Sequence, residues 1–200
     1  HRWEKERFDA GVKAANRSER DRLRVQRAAA LAEGRMDDAD YFFEHYMRDP
    51  EVVKYLRWKP HSRMQETIEF IQKRVLMREQ GSGCYWAITV REDRPIGLIG
   101  LRMQDLPVSL GFGLSRQFWG QGHMSAAVRC ILNWAWQQRE IERVSASCDS
   151  ENHGSMGVLA KAGFQRTGIK KSIRPNLSDK PRDSYTYLIT KPRISYGTSD

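Results

Sequence analysis

Gln117-Phe118-Trp119-Gly120-Gln121-Gly122 decides the reading of this 200-residue chain, because it joins a strand-like run to an amphipathic helix pattern. Upstream, Val108, Leu110, Phe112 and Leu114 alternate with Ser109, Gly111, Gly113 and Ser115, the alternation of a strand with one bulky and one small face. Downstream, Met124, Ala127, Val128, Ile131 and Ala135 fall on one side of a helical period, so a helix is expected to begin near Gly122. Glycines at such a junction let the backbone pass close to a ligand, and the first helical turn offers N–H groups that have no intrahelical acceptor. A phosphate group satisfies those donors and sits at the positive end of the helix dipole. Taken alone, the same residues equally describe a tight strand-to-helix turn. Two common nucleotide motifs are excluded: no Lys-Ser or Lys-Thr follows Gly122, and Gly111-Phe112-Gly113 lacks a glycine three residues on.

What remains, a Gln-x-x-Gly-x-Gly pattern after a strand, resembles the acyl-CoA pyrophosphate loop of the GNAT acetyltransferase superfamily. The following segments are similar to the branch that acetylates ribosomal-protein N-termini: Arg143 to Asp149 alternates like a strand, then come Asn152-x-x-Ser155 and Val158-Leu159-Ala160-Lys161-Ala162-Gly163-Phe164. Asp49 to Trp58, Trp86-Ala87-Ile88 and Arg182-Asp183-Ser184-Tyr185 extend the resemblance, which covers residues 20 to 192.

The resemblance implies an α/β fold: a GNAT-like mixed, mostly antiparallel sheet with two splayed parallel central strands and helices on both faces. The splayed strands would be 108–115 and 143–149, with the pantetheine arm of acetyl-CoA in the gap. Gly111 and Gly113 are expected to permit a bulge and to clear room for that arm. The expected cofactor contacts are Phe112, Gly113, Leu114, Gln117, Asn152 and Ser155, with the main chain from Trp119 through Gly120, Gln121, Gly122, His123 and Met124 to Ser125. Because those loop contacts are main-chain, His123 reads as a partly exposed helix-start residue rather than a base.

By the same resemblance Ser155 is the catalytic candidate that gives a proton or hydrogen bond to the departing thiolate, Asn152 holds the pantetheine or the strand edge, and an amide near Gly113 or Leu114 polarises the thioester carbonyl. Read from the sequence alone, Ser155 is also a first-turn helix hydroxyl and Asn152 a loop residue before a helix. The positions at which the family carries a glutamate base read Ser109 and Ala126, and neither accepts a proton usefully. Asp105, Asp149, Glu151 and Asp183 remain as distant bases, each equally a solvated or capping carboxylate. An α-amine has a reference pKa of about 7.7–8.0 and a lysine about 10.4, so the missing glutamates favour an α-amine acceptor or a base reached through water.

Composition sets the outer bounds. The length suits one domain with a sizeable core, expected over residues 21–193, preceded by a charged arm or helix over 1–20 and followed by a tail over 194–200. The apolar runs are far shorter than a bilayer span and no signal-peptide pattern opens the sequence, so no membrane association and a cytoplasmic location are expected. Cys84, Cys130 and Cys148 have no metal-ligand spacing and cannot all pair, so reduced thiols and no metal are expected.

Charge is uneven: residues 1–35 carry +4, residues 36–164 are neutral and residues 165–193 carry +6. The basic flanks are either a solvated surface or a contact for RNA or the ribosome. Beside acetyl-CoA, the partner expected is an amine-bearing substrate, a protein N-terminus ahead of an aminoacyl-tRNA or a small amine. A non-catalytic acyl-CoA-sensing or RNA-binding module stays open, as does the choice between monomer and homodimer. A polyamine acceptor is disfavoured, since no excess of acids would attract a polycation.

Local signals place the other elements. Leu23 and Val25 open a first strand, Asp37-Asp38 start a helix through Tyr46, and Pro50 suits the first turn of another. Ser62 with Gln65 has capping-box spacing ahead of a stripe formed by Met64, Ile68, Ile71 and Val75, and Gly81 ends that helix. Trp86, Ile88 and Val90 make a strand that turns at Arg91–Arg94 and returns through Ile96, Leu98 and Gly100. Gly163 suits a left-handed helix cap with Phe164 folded back on Leu159.

Overall fold

The computed structural model describes residues 24–27, 36–89 and 94–192. The arm expected over 1–20, the tail over 194–200, Leu23, Val90 and the turn residues 91–93 lie outside them.

A seven-stranded sheet runs in the order β1-β2-β3-β4-β5-β7-β6. Its strands are β1 (Arg24–Arg27), β2 (Gly83–Thr89), β3 (Pro95–Arg102), β4 (Val108–Leu114), β5 (Arg143–Asp149), β6 (Gln165–Arg174) and β7 (Ser178–Thr190). Only the central β4–β5 pair is parallel. The helices are α1 (Met36–Phe42), continued by a π-helical turn (Phe43–Met47), α2 (Pro50–Val53), α3 (Met64–Glu79), α4 (His123–Trp136) and α5 (His153–Lys161). None of them, among the described residues, is long and apolar enough to cross a membrane.

Alternation along the central strands builds two cores. Trp86, Ile88, Ile99 and Leu101 join α4 and α5 on one face, where Ala127, Val128, Ile131 and Leu159 are buried. Ala87 and Leu98 face the opposite layer, which contains Phe42, Tyr46, Met47, Val52 and Ile71. β2 and β3, the strands of the expected hairpin, are therefore covered on both sides. Helices do lie on both faces, as expected.

The caps follow local chemistry. The Asp49 side chain accepts from the Glu51 amide, with Pro50 in the first turn of α2. Before α3 the partner of Ser62 is Glu66 rather than Gln65: the Glu66 carboxylate takes both the Ser62 amide at 2.8 Å and its hydroxyl at 3.0 Å. The buried side of α3 is Thr67 and Ile71, and Met64, Ile68 and Val75 are only partly covered. Gly163 has φ 89°, and the Phe164 amide donates to the Leu159 carbonyl at 3.1 Å, closing α5 as predicted. Arg182-Asp183-Ser184-Tyr185 lies in β7, and the large element the sequence reading lacked is its hairpin partner β6; together they take up most of the basic C-terminal segment.

Candidate active site

β4 and β5 pair only from Val108↔Val144 to Leu110↔Ala146, and beyond that each strand continues without the other. The phase of the neighbouring ladders shows which groups face the opening. Ser115 N–H donates to the Ile96 carbonyl, so Gly113, Gly111 and Ser109 turn their backbone groups toward β3, whereas Phe112 and Leu114 turn theirs toward β5. On β5, Ser150 N–H donates to Asp183 and Lys191 N–H to Glu142, which by the same alternation leaves Ser147 and Asp149 facing β4. Phe112 and Ser147 thus border a gap with no strand between them.

This phase corrects two expectations. The β3–β4 register runs unbroken, so Gly111 and Gly113 form no bulge. Gly113 opens no channel either: a Cβ there would collide with the Tyr46 hydroxyl, and its amide faces β3. Gly111 does open space, since a Cβ on it would meet nothing within 4 Å. Leu114 is the amide left to polarise a carbonyl in the gap.

The loop after β4 passes through a 3-10 turn (Arg116–Phe118) into α4. Gly120 and Gly122 have φ 74° and 84°, which only glycine adopts readily, and both border open space. The Trp119 amide is already spent on the Arg116 carbonyl at 3.0 Å, so it is withdrawn from the expected anion contacts, and its indole donates to the Leu114 carbonyl at 2.6 Å. The next loop amide recorded with a backbone acceptor is Ala126, which donates to Gly122, so those of Gly120 through Ser125 are unspent among the described residues. The Gln121 side chain donates to the Gln117 carbonyl at 2.8 Å and Gln117 to the Tyr41 hydroxyl at 2.9 Å, bracing the loop rather than reaching outward. His123 is partly exposed, as read, while the Met124 and Ser125 side chains are buried.

Asn152 and Ser155 come together at the start of α5. Asn152 Oδ1 accepts the Ser155 amide at 3.0 Å, a helix cap that fixes where the serine sits. The Ser155 hydroxyl bonds to no described residue. Both side chains line a cavity of about 160 Å³ together with Gly111, Phe112 and Ser147, so the cavity opens on the gap.

The far wall of that cavity is what the sequence reading missed. It consists of Tyr46 from the π-helical turn, Arg57 and Trp58 after α2, Phe70 and Arg74 on α3, Tyr85 on β2, Arg102 ending β3 and Arg174 ending β6. Asn176, in the β6–β7 turn, donates to the Val53 and Trp58 carbonyls at 2.6 and 2.7 Å and pins the Trp58 segment in place. Burial, the largest influence, lowers the pKa of Arg57, Arg74 and Arg174, and neighbouring guanidinium charge adds to this for Arg57 and Arg174. Burial raises the Tyr46 phenol far above its ordinary range and pushes the Cys148 thiol up to about 11, so neither is a base near neutral pH.

No carboxylate among the described residues lines the cavity, and all four distant candidates are already ion-paired. Asp105 bridges Arg102 at 2.9 Å and Asp183 bridges Lys171 at 2.7 Å. Asp149, fully buried, holds Arg182 at 3.1 Å and caps the Glu151 amide, and Glu151 bridges the same Arg182 at 2.8 Å. Ser109 accepts from Arg102 Nη2 at 2.6 Å. The basic C-terminal segment is likewise not one surface: Arg174 is buried in the cavity wall, Lys171 is ion-paired and Arg182 is tied to Asp149.

Comparison with known proteins agrees with this architecture. Residues 31–165 match the acetyltransferase (GNAT) domain family. An uncharacterized N-acetyltransferase, p20, of Bacillus licheniformis is 30% identical over 138 residues, 67% of this chain and 77% of that protein. A GNAT-family acetyltransferase from Bacillus anthracis has a TM-score of 0.70 at 21% identity, over 85% of this chain and 95% of that one. RimL, a ribosomal L7/L12 alpha-N-protein acetyltransferase in complex with coenzyme A, gives 0.71 at 18% identity, over 84% and 93%. At those identities the two structures speak for the fold, whereas the family match spans most of the chain. The chain belongs to the GNAT acetyltransferase family and is an acetyl-CoA-dependent N-acetyltransferase.

Proposed function

We propose that the acceptor is a primary α-amine, with a protein N-terminus favoured, acetylated by direct attack in a ternary complex. Acetyl-CoA supplies the thioester when bound. The unspent amides from Gly120 through Ser125 suit its pyrophosphate, and the unpaired backbone groups of Phe112 and Leu114 suit its pantetheine arm. Leu114 N–H donates to a carbonyl in the gap. The Ser155 hydroxyl, held at the gap by the Asn152 cap, offers the proton on the sulfur side.

The observation that carries the reading is the carboxylate-free cavity wall. An amine there meets no Asp or Glu among the described residues to take its proton, so it must enter neutral. The arginines of the wall disfavour an ammonium by like charge. An α-amine with a reference pKa of about 7.7–8.0 meets that condition near neutral pH, and a lysine at about 10.4 does so poorly. The likeness to RimL, an alpha-N-protein acetyltransferase, is in keeping with it.

The test follows free thiol from acetyl-CoA with two matched peptides, one with a free N-terminus and no lysine, the other N-terminally blocked with one lysine. The first should react at least about 10²-fold faster near pH 7.5, given the roughly 2.5-unit difference in reference pKa. Equal rates would sink the α-amine assignment.

A further inference from the structure

The cavity is one-sided in its chemistry. Arg57, Arg74, Arg102 and Arg174 line it and, among the described residues, no Asp or Glu does. Arg102 has partners in Asp105 and Ser109. Arg174 has no carboxylate: it is 3% exposed, its Nη2 donates to the Ser184 hydroxyl at 3.1 Å, and its Nε has no acceptor. The neighbouring buried carboxylate, Asp149, is engaged by Arg182 of the same hairpin instead. Arg74 lies 3.3 Å above the Phe70 ring and its Nε also lacks an acceptor, as does Trp58 Nε1. Four buried side-chain polar atoms lack a partner among the described residues. Three belong to this one wall, and all three are N–H donors. Buried polar groups are normally satisfied, and a buried guanidinium without an anion is strongly unfavourable, so an excess of donors in one cavity calls for an acceptor-rich occupant.

We propose that the acceptor bears an anionic group, a carboxylate or phosphate, close to its amine, and that Arg174 and Arg57, with Trp58 beside them, receive it. This rests on the acetyl-transfer reading above and narrows it to acidic amino compounds, including peptides with acidic residues directly after the N-terminus. The anion neutralises the donors of the wall. A polycationic amine is excluded by the same field.

The experiment measures thiol release from acetyl-CoA with three acceptors whose α-amines are matched and whose anion lies on the second residue: the peptide amides Ala-Asp, Ala-Asn and Ala-phosphoserine. A charge-assisted hydrogen bond is worth roughly a 10–100-fold change, so Ala-Asp or Ala-phosphoserine should show a KM at least about 10-fold below that of Ala-Asn, and the better of the two names the anion. Arg174→Gln should erase the preference while leaving the acetyl-CoA KM within about twofold. Arg57→Ala, at an exposed residue, should weaken the preference with folding intact, as urea unfolding beside the parent checks. Equal KM values for the acidic peptides and Ala-Asn would overturn the anion proposal and leave acetyl transfer standing. Should no amine react, transfer itself fails. Calorimetry of the N-acetylated Ala-Asp amide against the N-acetylated Ala-Asn amide on the CoA-loaded protein then decides the anion question: about 10-fold tighter binding of the acidic peptide supports it, and equal binding overturns it.

Discussion

The loop from Gly120 to Ser125 and the arginine wall across the gap are both suited to negative charge, by opposite means. The loop has no charged side chain: it offers main-chain N–H groups, held in place by two left-handed glycines and the start of α4. The wall offers guanidinium groups from the segment after α2, from α3, and from the ends of β3 and β6, which only the folded sheet brings together. A backbone site is written into a few consecutive residues and is indifferent to most of their side chains. A side-chain site is distributed, carries formal charge, and must be paired, solvated or filled.

Ser155 lines the same cavity as the wall, and there the largest effect is expected. Ser155→Ala should lower kcat by ~10²–10⁴-fold with acetyl-CoA affinity nearly unchanged, because proton donation matters in the transition state and the loop does the binding. Single-turnover kinetics beside calorimetry separates the two. An unaltered kcat would reduce Ser155 to the residue that Asn152 caps.

Arg182 and Arg174 lie on one hairpin beside one carboxylate, and only Arg182 is paired with it. Burial alone would raise the Asp149 pKa, but hydrogen bonds from Arg182 and the Glu151 amide, with the charges of Arg182 and Arg174, bring it below the usual range. The stability this contributes is present above the unfolded pKa of about 3.9 and is lost as pH falls through the lower folded value. Asp149→Asn should therefore cost about 1.5–3 kcal/mol in urea unfolding near pH 7, and the difference from the parent should shrink below about pH 4. A difference that ignores pH would mean that Asp149 acts by shape and neutral hydrogen bonding alone.

The same contrast explains how much could be read from the residues. Period-2 alternation found β4 and β5, the helical period found α4, and Gly163 marked the end of α5, because each signal lies within one segment. The gap, the loop and the Asn152–Ser155 pair followed from short motifs in the right order. Tyr46, Trp58, Arg74 and Arg174 were not legible, since no local pattern says that residues from four separate elements line one cavity. Gly113 was assigned to the cofactor because its partner Tyr46 is remote in sequence and its backbone direction depends on the β3 register. The net charge of residues 165–193 suggested a surface, while its buried member, Arg174, is set by the pleat of β6.

The smallest expected effects lie within the loop and separate backbone from side-chain recognition. A Cβ on Gly122 would meet no atom within 4 Å apart from its chain neighbours, so the added carbon itself makes no clash with the fold. What Gly122→Val alters is the conformation at φ 84°, unfavourable for a β-branched residue by about 1–2 kcal/mol, and the open space a pyrophosphate would enter. Acetyl-CoA affinity should fall about 10-fold or more by calorimetry, 1.4 kcal/mol per tenfold. Gln121→Ala removes only the brace to the Gln117 carbonyl, an exposed bond, and affinity should stay within about twofold. Loss of affinity in Gln121→Ala equal to that in Gly122→Val would show that side chains hold the cofactor after all, and the contrast between loop and wall would fall.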